Sequence, residues 1–194
     1  MSLVNMLYNL QLMRFAGEDG VAAYGVIMYV DFVFVASYLG YAIGSAPIVS
    51  FHYGAGNTRE LKNLFRKSLW LIGALSVALT ALAELLAGVL AGIFVSYDPA
   101  LLELTRRGFQ IFSIAFLMKG INIFASSFFT ALNDGLVSAV LAFVRALVFQ
   151  VAAVFLLPVF LEVDGVWLSV VAAEAAAMIL TAGCFVRFRG KYYY

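Results

Sequence analysis

Charge is scarce in this 194-residue sequence: Asp, Glu, Lys and Arg together make up 12% of it, where soluble domains carry roughly a quarter. That shortage excludes a soluble globule, because 64% of the residues are hydrophobic and the mean hydropathy is +1.00. Helices apolar on every side must be covered by lipid or by other helices. The chain therefore reads as an integral membrane protein whose first partner is the lipid bilayer. A formal charge of +1 leaves no basic surface able to neutralise many phosphates, which excludes nucleic acid as a partner. Cysteine and histidine are equally sparse. Cys184 alone makes no internal disulfide, and together with His52 it is too little for a zinc site. Cys184 reads as a small apolar residue and His52, which has no partner in sequence, as a packed or solvated ring. Gly54-Ala55-Gly56-Asn57 lacks the preceding strand and the lysine of a phosphate loop. The expectation is no enzyme, no catalytic residue, no metal and no organic cofactor. No secretory leader is expected at this start, since the first cation is Arg14 and Asn5, Asn9 and Gln11 interrupt the apolar run.

What remains is a series of apolar runs separated by polar punctuation. Six transmembrane segments are predicted in one all-α membrane domain over residues 1–194, with no internal repeat. Met1 to Phe15 reaches about 22 Å at 1.5 Å per residue, short of the roughly 30 Å hydrocarbon core, and reads as the tail of a longer, truncated helix. Gly17-Glu18-Asp19-Gly20 predicts a turn, and the second segment runs from Val21 to Tyr53 with a bend at Pro47. Asn57 and Glu60 are spaced as a capping box, predicting a short basic helix on the membrane surface. The third segment is Ser68 to Phe94. Asp98-Pro99 opens the fourth as cap and first helical residue, and it continues unbroken to Leu132. Asn133-Asp134-Gly135 is a tight turn, the fifth segment is Leu136 to Leu161, and the sixth is Val166 to Phe188.

Lys and Arg are retained in the cytoplasm. Arg59, Lys62, Arg66 and Lys67 lie in one short loop and Arg187, Arg189 and Lys191 near the C-terminus, so both are expected to be cytoplasmic, in a plasma or inner membrane. Four crossings separate them, as this requires. Arg106 and Arg107, on the outer side, are the discordant pair. The spacings Gly40-x-x-x-Gly44 and Gly88-x-x-x-Gly92 predict close helix packing within the bundle.

An ionisable side chain at mid-membrane costs at least about 2.5 kcal/mol, which makes each one a functional candidate. They are Asp31, Glu84, Lys119, Arg145 and Glu174. Arg145 and Glu174 fall at matching depth on adjacent antiparallel segments, as a structural ion pair or as a gating and coupling pair. Asp31 either pairs with Lys119 or, with Tyr29, Phe32, Phe34 and Tyr38, lines a cavity for flat organic cations. Glu84, nearer a helix end, is expected to snorkel. Burial disfavours a carboxylate's charge and favours proton exchange near neutral pH.

The run Pro47-Ile48-Val49-Ser50-Phe51-His52-Tyr53-Gly54-Ala55-Gly56-Asn57, followed by basic residues, resembles a signature of the MATE (multidrug and toxic compound extrusion) family. Ala22-Ala23-Tyr24-Gly25, Phe128-Phe129-Thr130-Ala131-Leu132-Asn133, Arg145, Gly165-Val166-Trp167 and Glu174 are similar, in order, to its C-terminal lobe. His52 departs from the asparagine common in the family. The resemblance implies two six-helix lobes rocking about a central cavity, with Pro47, Gly54, Ala55, Gly56 and Asn57 as a structural or gating motif. It implies export of small cationic or amphipathic compounds in exchange for H+ or Na+. The partner would be an N-terminal lobe of the same transporter or a second copy of this one. Segment one carries no acid, unlike NorM-like members with a sodium site, and the pattern is nearer the MepA-like branch. Three mid-membrane acids against two bases favour cationic cargo. The related lipid-linked precursor flippases, and a truncated fragment without transport, are the alternative readings.

Overall fold

The computed structural model describes residues 3–194, and among these every regular element is helical. Helix α1 (Leu3–Gly54) is two arms joined at Gly17, whose φ of 63° and ψ of −151° suit a residue without Cβ. The turn predicted over 17–20 is thus present and separates the first two segments. Pro47 lies within the second arm, which continues to Gly54. Gly56, at φ 67°, then stops the helix and Asn57 caps the next, accepting from the Glu60 amide at 3.2 Å. The reciprocal half of the capping box does not form. Glu60 accepts from Asn63, and the Asn57 amide donates to the His52 carbonyl at 2.9 Å.

Helix α2 (Thr58–Val95) corrects the prediction of a separate surface helix: the basic residues occupy the first turns of one 38-residue helix. Nothing between 58 and 95 breaks it, and its buried stripe runs from Leu61 through Ser68, Ile72 and Ser76 to Val95. At about 57 Å it exceeds the hydrocarbon core, so those first turns project past it. Close packing follows Ala83, Ala87 and Ala91, all buried. A Cβ on Gly40, Gly44, Gly88 or Gly92 would meet nothing within 4 Å, so the seam between helices is built on alanine, not on the predicted glycine pairs.

The fourth segment is broken. Helix α3 (Pro99–Ser113), capped by Asp98, and helix α4 (Phe116–Ala131) meet at 49°. At the break Ala115, Leu117 and Met118 donate to carbonyls three residues back, and the Ser113 hydroxyl lies within hydrogen-bond reach of both the Gln110 carbonyl and the Glu84 carboxylate, which share its single proton. Such tightened turns and side-chain competition for backbone acceptors end α-helical pairing without glycine or proline.

The fifth segment comprises α5 (Gly135–Phe143), a π-helical stretch (Val144–Phe149) and α6 (Gln150–Leu156). The first turn of α7 (Pro158–Tyr192) completes it before the chain reverses at Glu162, φ 50°. Helices α1, α2, α5–α6 and α7 are long and apolar enough to cross a membrane, and the bent α3–α4 pair makes a further span. With α1 divided at Gly17, this is the predicted six-segment bundle.

The loops sort to two ends. One end holds residues 54–57, Asp134 and the end of α7, joined by Tyr53 against Tyr192, the Tyr192 hydroxyl on Asp134, and the Ser50 hydroxyl on the Ala131 carbonyl. At the other, Arg107 pairs with Asp164 and Arg106 lies 3.6 Å from Glu103. The discordant arginines are therefore neutralised locally, in the second and third turns of α3.

Candidate functional site: a cavity lined by two ion pairs

Between the helices lies a cavity of about 320 Å³ that gathers four of the mid-membrane ionisable residues: Asp31, Lys119, Arg145 and Glu174. Asp31 comes from the second arm of α1 and Lys119 from the first turn of α4, just past the 49° bend. Their Oδ1 and Nζ atoms are 2.5 Å apart. The Lys119 ammonium also sits over the rings of Phe112 and Phe116, 4.9 and 5.4 Å from their centroids. These faces compensate part of its lost hydration.

Arg145 stands in the π-helical stretch, where the wider turn re-aims side chains relative to an α-helix. Its Nη1 donates to Glu174 Oε1 at 3.0 Å. Glu174 is 1% exposed and Arg145 23%, so the carboxylate is sealed in the protein while the guanidinium reaches the cavity. Asn122 Nδ2 donates to the other carboxylate oxygen, Oε2, at 2.8 Å.

The predicted aromatic lining is displaced. On Asp31's face of α1 the helical repeat brings Tyr24, Met28 and Val35, at −7, −3 and +4, to the cavity wall. Tyr29 and Phe32 point outward, 69% and 75% exposed, and Phe34 is buried. Tyr38, one step further along that face, lies outside the cavity, its hydroxyl donating to the Phe116 carbonyl at 3.0 Å. The aromatic wall is instead Tyr8 stacked on Tyr24, rings 5.5 Å apart and 4° from parallel. Tyr8 donates to Gln150 Oε1 at 2.6 Å, tying the first arm of α1 to α6. Sequence reading missed Tyr8 and Gln150, whose one signal was polarity inside apolar runs.

Glu84 faces Ser113 instead of snorkelling and is not in the cavity. The cavity wall thus carries two acids and two bases and is zwitterionic, not acidic as the sum over the sequence suggested. Pro47, Gly54, Ala55, Gly56 and Asn57 are also remote from it: they end α1 and start α2 at the basic end. Among the described residues, no three His, Cys, Asp or Glu side chains converge as metal ligands.

The MatE family model matches residues 1–156. The probable multidrug resistance protein NorM of Synechocystis sp. is 35% identical over 66 residues, 34% of this chain and 14% of the relative. The fold is that of solved MATE transporters. A single-residue mutant of the Vibrio cholerae MATE transporter VcmN superposes with a TM-score of 0.90 at 18% identity, covering 98% of this chain and 44% of the other. A MOP superfamily transporter from Pyrococcus furiosus gives 0.87 at 20% identity, covering 99% and 43%. The chain spans less than half the length of these relatives. Six helical segments in the MATE arrangement, and a family match over most of its length, show that this chain belongs to the MatE family of membrane transporters.

Proposed function

We propose that this chain forms one wall of the translocation cavity of a multidrug exporter, coupled to inward flow of protons or sodium, that expels cationic or amphipathic organic compounds by alternating access. The other wall is a second lobe, the N-terminal lobe of the same transporter or a second copy. We place the basic end in the cytoplasm of a plasma or inner membrane, by the retention of Lys and Arg there. The observation that carries the reading is the cavity itself: Asp31 is 18% exposed to it and held by a single lysine, beside the stacked Tyr8 and Tyr24. A flat cation could stack on the tyrosines and exchange with Lys119 at the carboxylate. Ionisable groups at this depth are costly unless they serve a pathway or a pairing.

Cells producing the complete two-lobed transporter are expected to accumulate less ethidium than cells without it, and collapse of the proton gradient or removal of sodium identifies the coupling ion. Asp31→Asn should weaken export more than Glu84→Gln, whose residue lies off the cavity. Unchanged ethidium accumulation with correctly inserted protein would overturn the proposal. Equal, wild-type-like export by both variants would remove Asp31 from the site.

A further inference from the structure

At the basic end a groove of about 420 Å³ runs between the start of α2 and the end of α7. Three cations border it, Lys62 and Arg66 from α2 and Arg189 from α7, over the rings of Phe65 and Phe185. None of the three has an ion-pair partner among the described residues, a condition they share with Arg14, Arg59, Lys67 and Arg187. Every other basic side chain from Arg106 to Arg145, and Lys191, is ion-paired. Cations converging from two helices with no Asp or Glu side chain ion-paired to them leave a positive field, which an external anion would satisfy.

Beyond the groove, exposed apolar side chains continue along each of its two helices. On α2, Lys62, Arg66 and Trp70 recur every four residues on one face, and Val77 lies two turns beyond Trp70; Trp70 is 77% exposed and Val77 60%. On α7, Val186 and Ile179 are likewise two turns apart and are 79% and 76% exposed. Both tracks run away from the cations along helices long and apolar enough to cross a membrane, and Trp70, two turns beyond Lys62, is an amphipathic ring of the kind that favours headgroup level. A soluble anion would use the cations and leave this wall unused. A lipid uses both.

We propose that this groove binds an anionic phospholipid of the adjacent leaflet, its phosphate held by Lys62, Arg66 and Arg189 and an acyl chain lying along Val186 and Ile179. The lipid would bridge α2 and α7, whose Phe65 and Phe185 rings touch at this end. The site is independent of the cargo cavity and does not rest on the exporter reading.

The test is native mass spectrometry of the protein purified in a nonionic detergent and titrated with phosphatidylglycerol, phosphatidylcholine or inorganic phosphate. Phosphatidylglycerol is expected to bind at least about tenfold more tightly than phosphatidylcholine, since only it presents a net negative headgroup to the three cations. A cation near a lipid surface contributes about fivefold, so K62Q/R66Q/R189Q should lose affinity on the order of a hundredfold. The charge-conserving K62R/R66K/R189K variant should keep most of it. The single exposed substitution Arg189→Gln, expected to cost about fivefold, gives the answer if the triple variant fails to assemble. Equal binding of the two lipids, or wild-type affinity in K62Q/R66Q/R189Q, would mean that these cations serve only to orient the chain and would overturn the proposal. Displacement of phosphatidylglycerol by millimolar inorganic phosphate would overturn it in favour of a soluble anion.

Discussion

Asn122 grips Glu174 twice, donating from Nδ2 to the backbone carbonyl at 3.0 Å and to the carboxylate Oε2 at 2.8 Å. One oxygen is thereby fixed toward α4 and the other, Oε1, is left for Arg145. A carboxylate this deeply buried is tolerable only with such partners. Asn122→Leu keeps the volume and removes the donor. It should destabilise the protein by about 1–3 kcal/mol, the cost of a buried charged acceptor losing a hydrogen bond, read as a lower unfolding temperature in detergent. An unchanged unfolding temperature would show that Arg145 alone holds the carboxylate.

The features legible in the sequence were those with local chemistry. Gly17, Asn57, Asp98-Pro99 and Asp134-Gly135 each mark a helix boundary because a positive φ or an orphan amide must be served within a few residues. The meeting of Arg145 with Glu174 was legible from depth, since short connections make consecutive segments antiparallel neighbours. The break after Ser113 was not, because no glycine or proline marks it and one partner of Ser113, Glu84, lies 29 residues away. The π-helical turns at 144–149 have no residue signature. The pairing of Tyr8 with Gln150 joins positions 142 apart and follows from the assembled bundle. The seam of α2 escapes the glycine spacing because the methyls of Ala83, Ala87 and Ala91 are small enough for close packing, while Gly88 and Gly92 face open space.

Close packing gives a second prediction. A Cβ on Gly165 would stand 2.6 Å from the backbone oxygen of Leu157 and 2.7 Å from its carbonyl carbon. Backbone cannot yield as a side chain can, so Gly165→Ala should cost about 1–3 kcal/mol by overpacking. Gly88→Ala adds a methyl in open space and should be neutral or stabilising by up to about 1 kcal/mol through helix propensity. Thermal unfolding of the two variants side by side tests the contrast, and equal effects would contradict it.

The basic end carries a pH dependence. Asp134 caps α5 and accepts from the Tyr192 hydroxyl and from Lys191 Nζ, 3.1 Å away. The Tyr192 hydrogen bond foremost, with the Val137 amide and Lys191, holds its carboxyl below the ordinary value of 3.8. A carboxyl lowered by folding stabilises fully above its unfolded value, and that stabilisation is lost as the pH falls through the lowered, folded value. Asp134→Asn keeps an N-cap acceptor and removes the charge. The stability gap between wild type and Asp134→Asn should therefore stay constant from neutral pH to about 4 and shrink only below it. Unfolding temperatures measured across that range check this, and a gap already closing near pH 6 would assign the dependence to another group.

Lys119 and Asp31 yield the prediction that bears most directly on cargo. With Lys119 in place the carboxylate is neutralised, and on the proposed exporter reading a cation entering the cavity must displace the ammonium, which already lies over the faces of Phe112 and Phe116. Removing the lysine charge with Lys119→Met leaves Asp31 unpaired beside Tyr24. Binding of tetraphenylphosphonium to the purified transporter should then tighten, because the cation no longer has to displace a buried ammonium from the carboxylate. Asp31→Asn should weaken binding, because the same cation now meets Lys119 without its counter-charge. Equal weakening by both substitutions would mean that the ion pair acts as one structural unit holding α1 to α4, and the contact with cargo would have to be sought at Arg145 and Glu174.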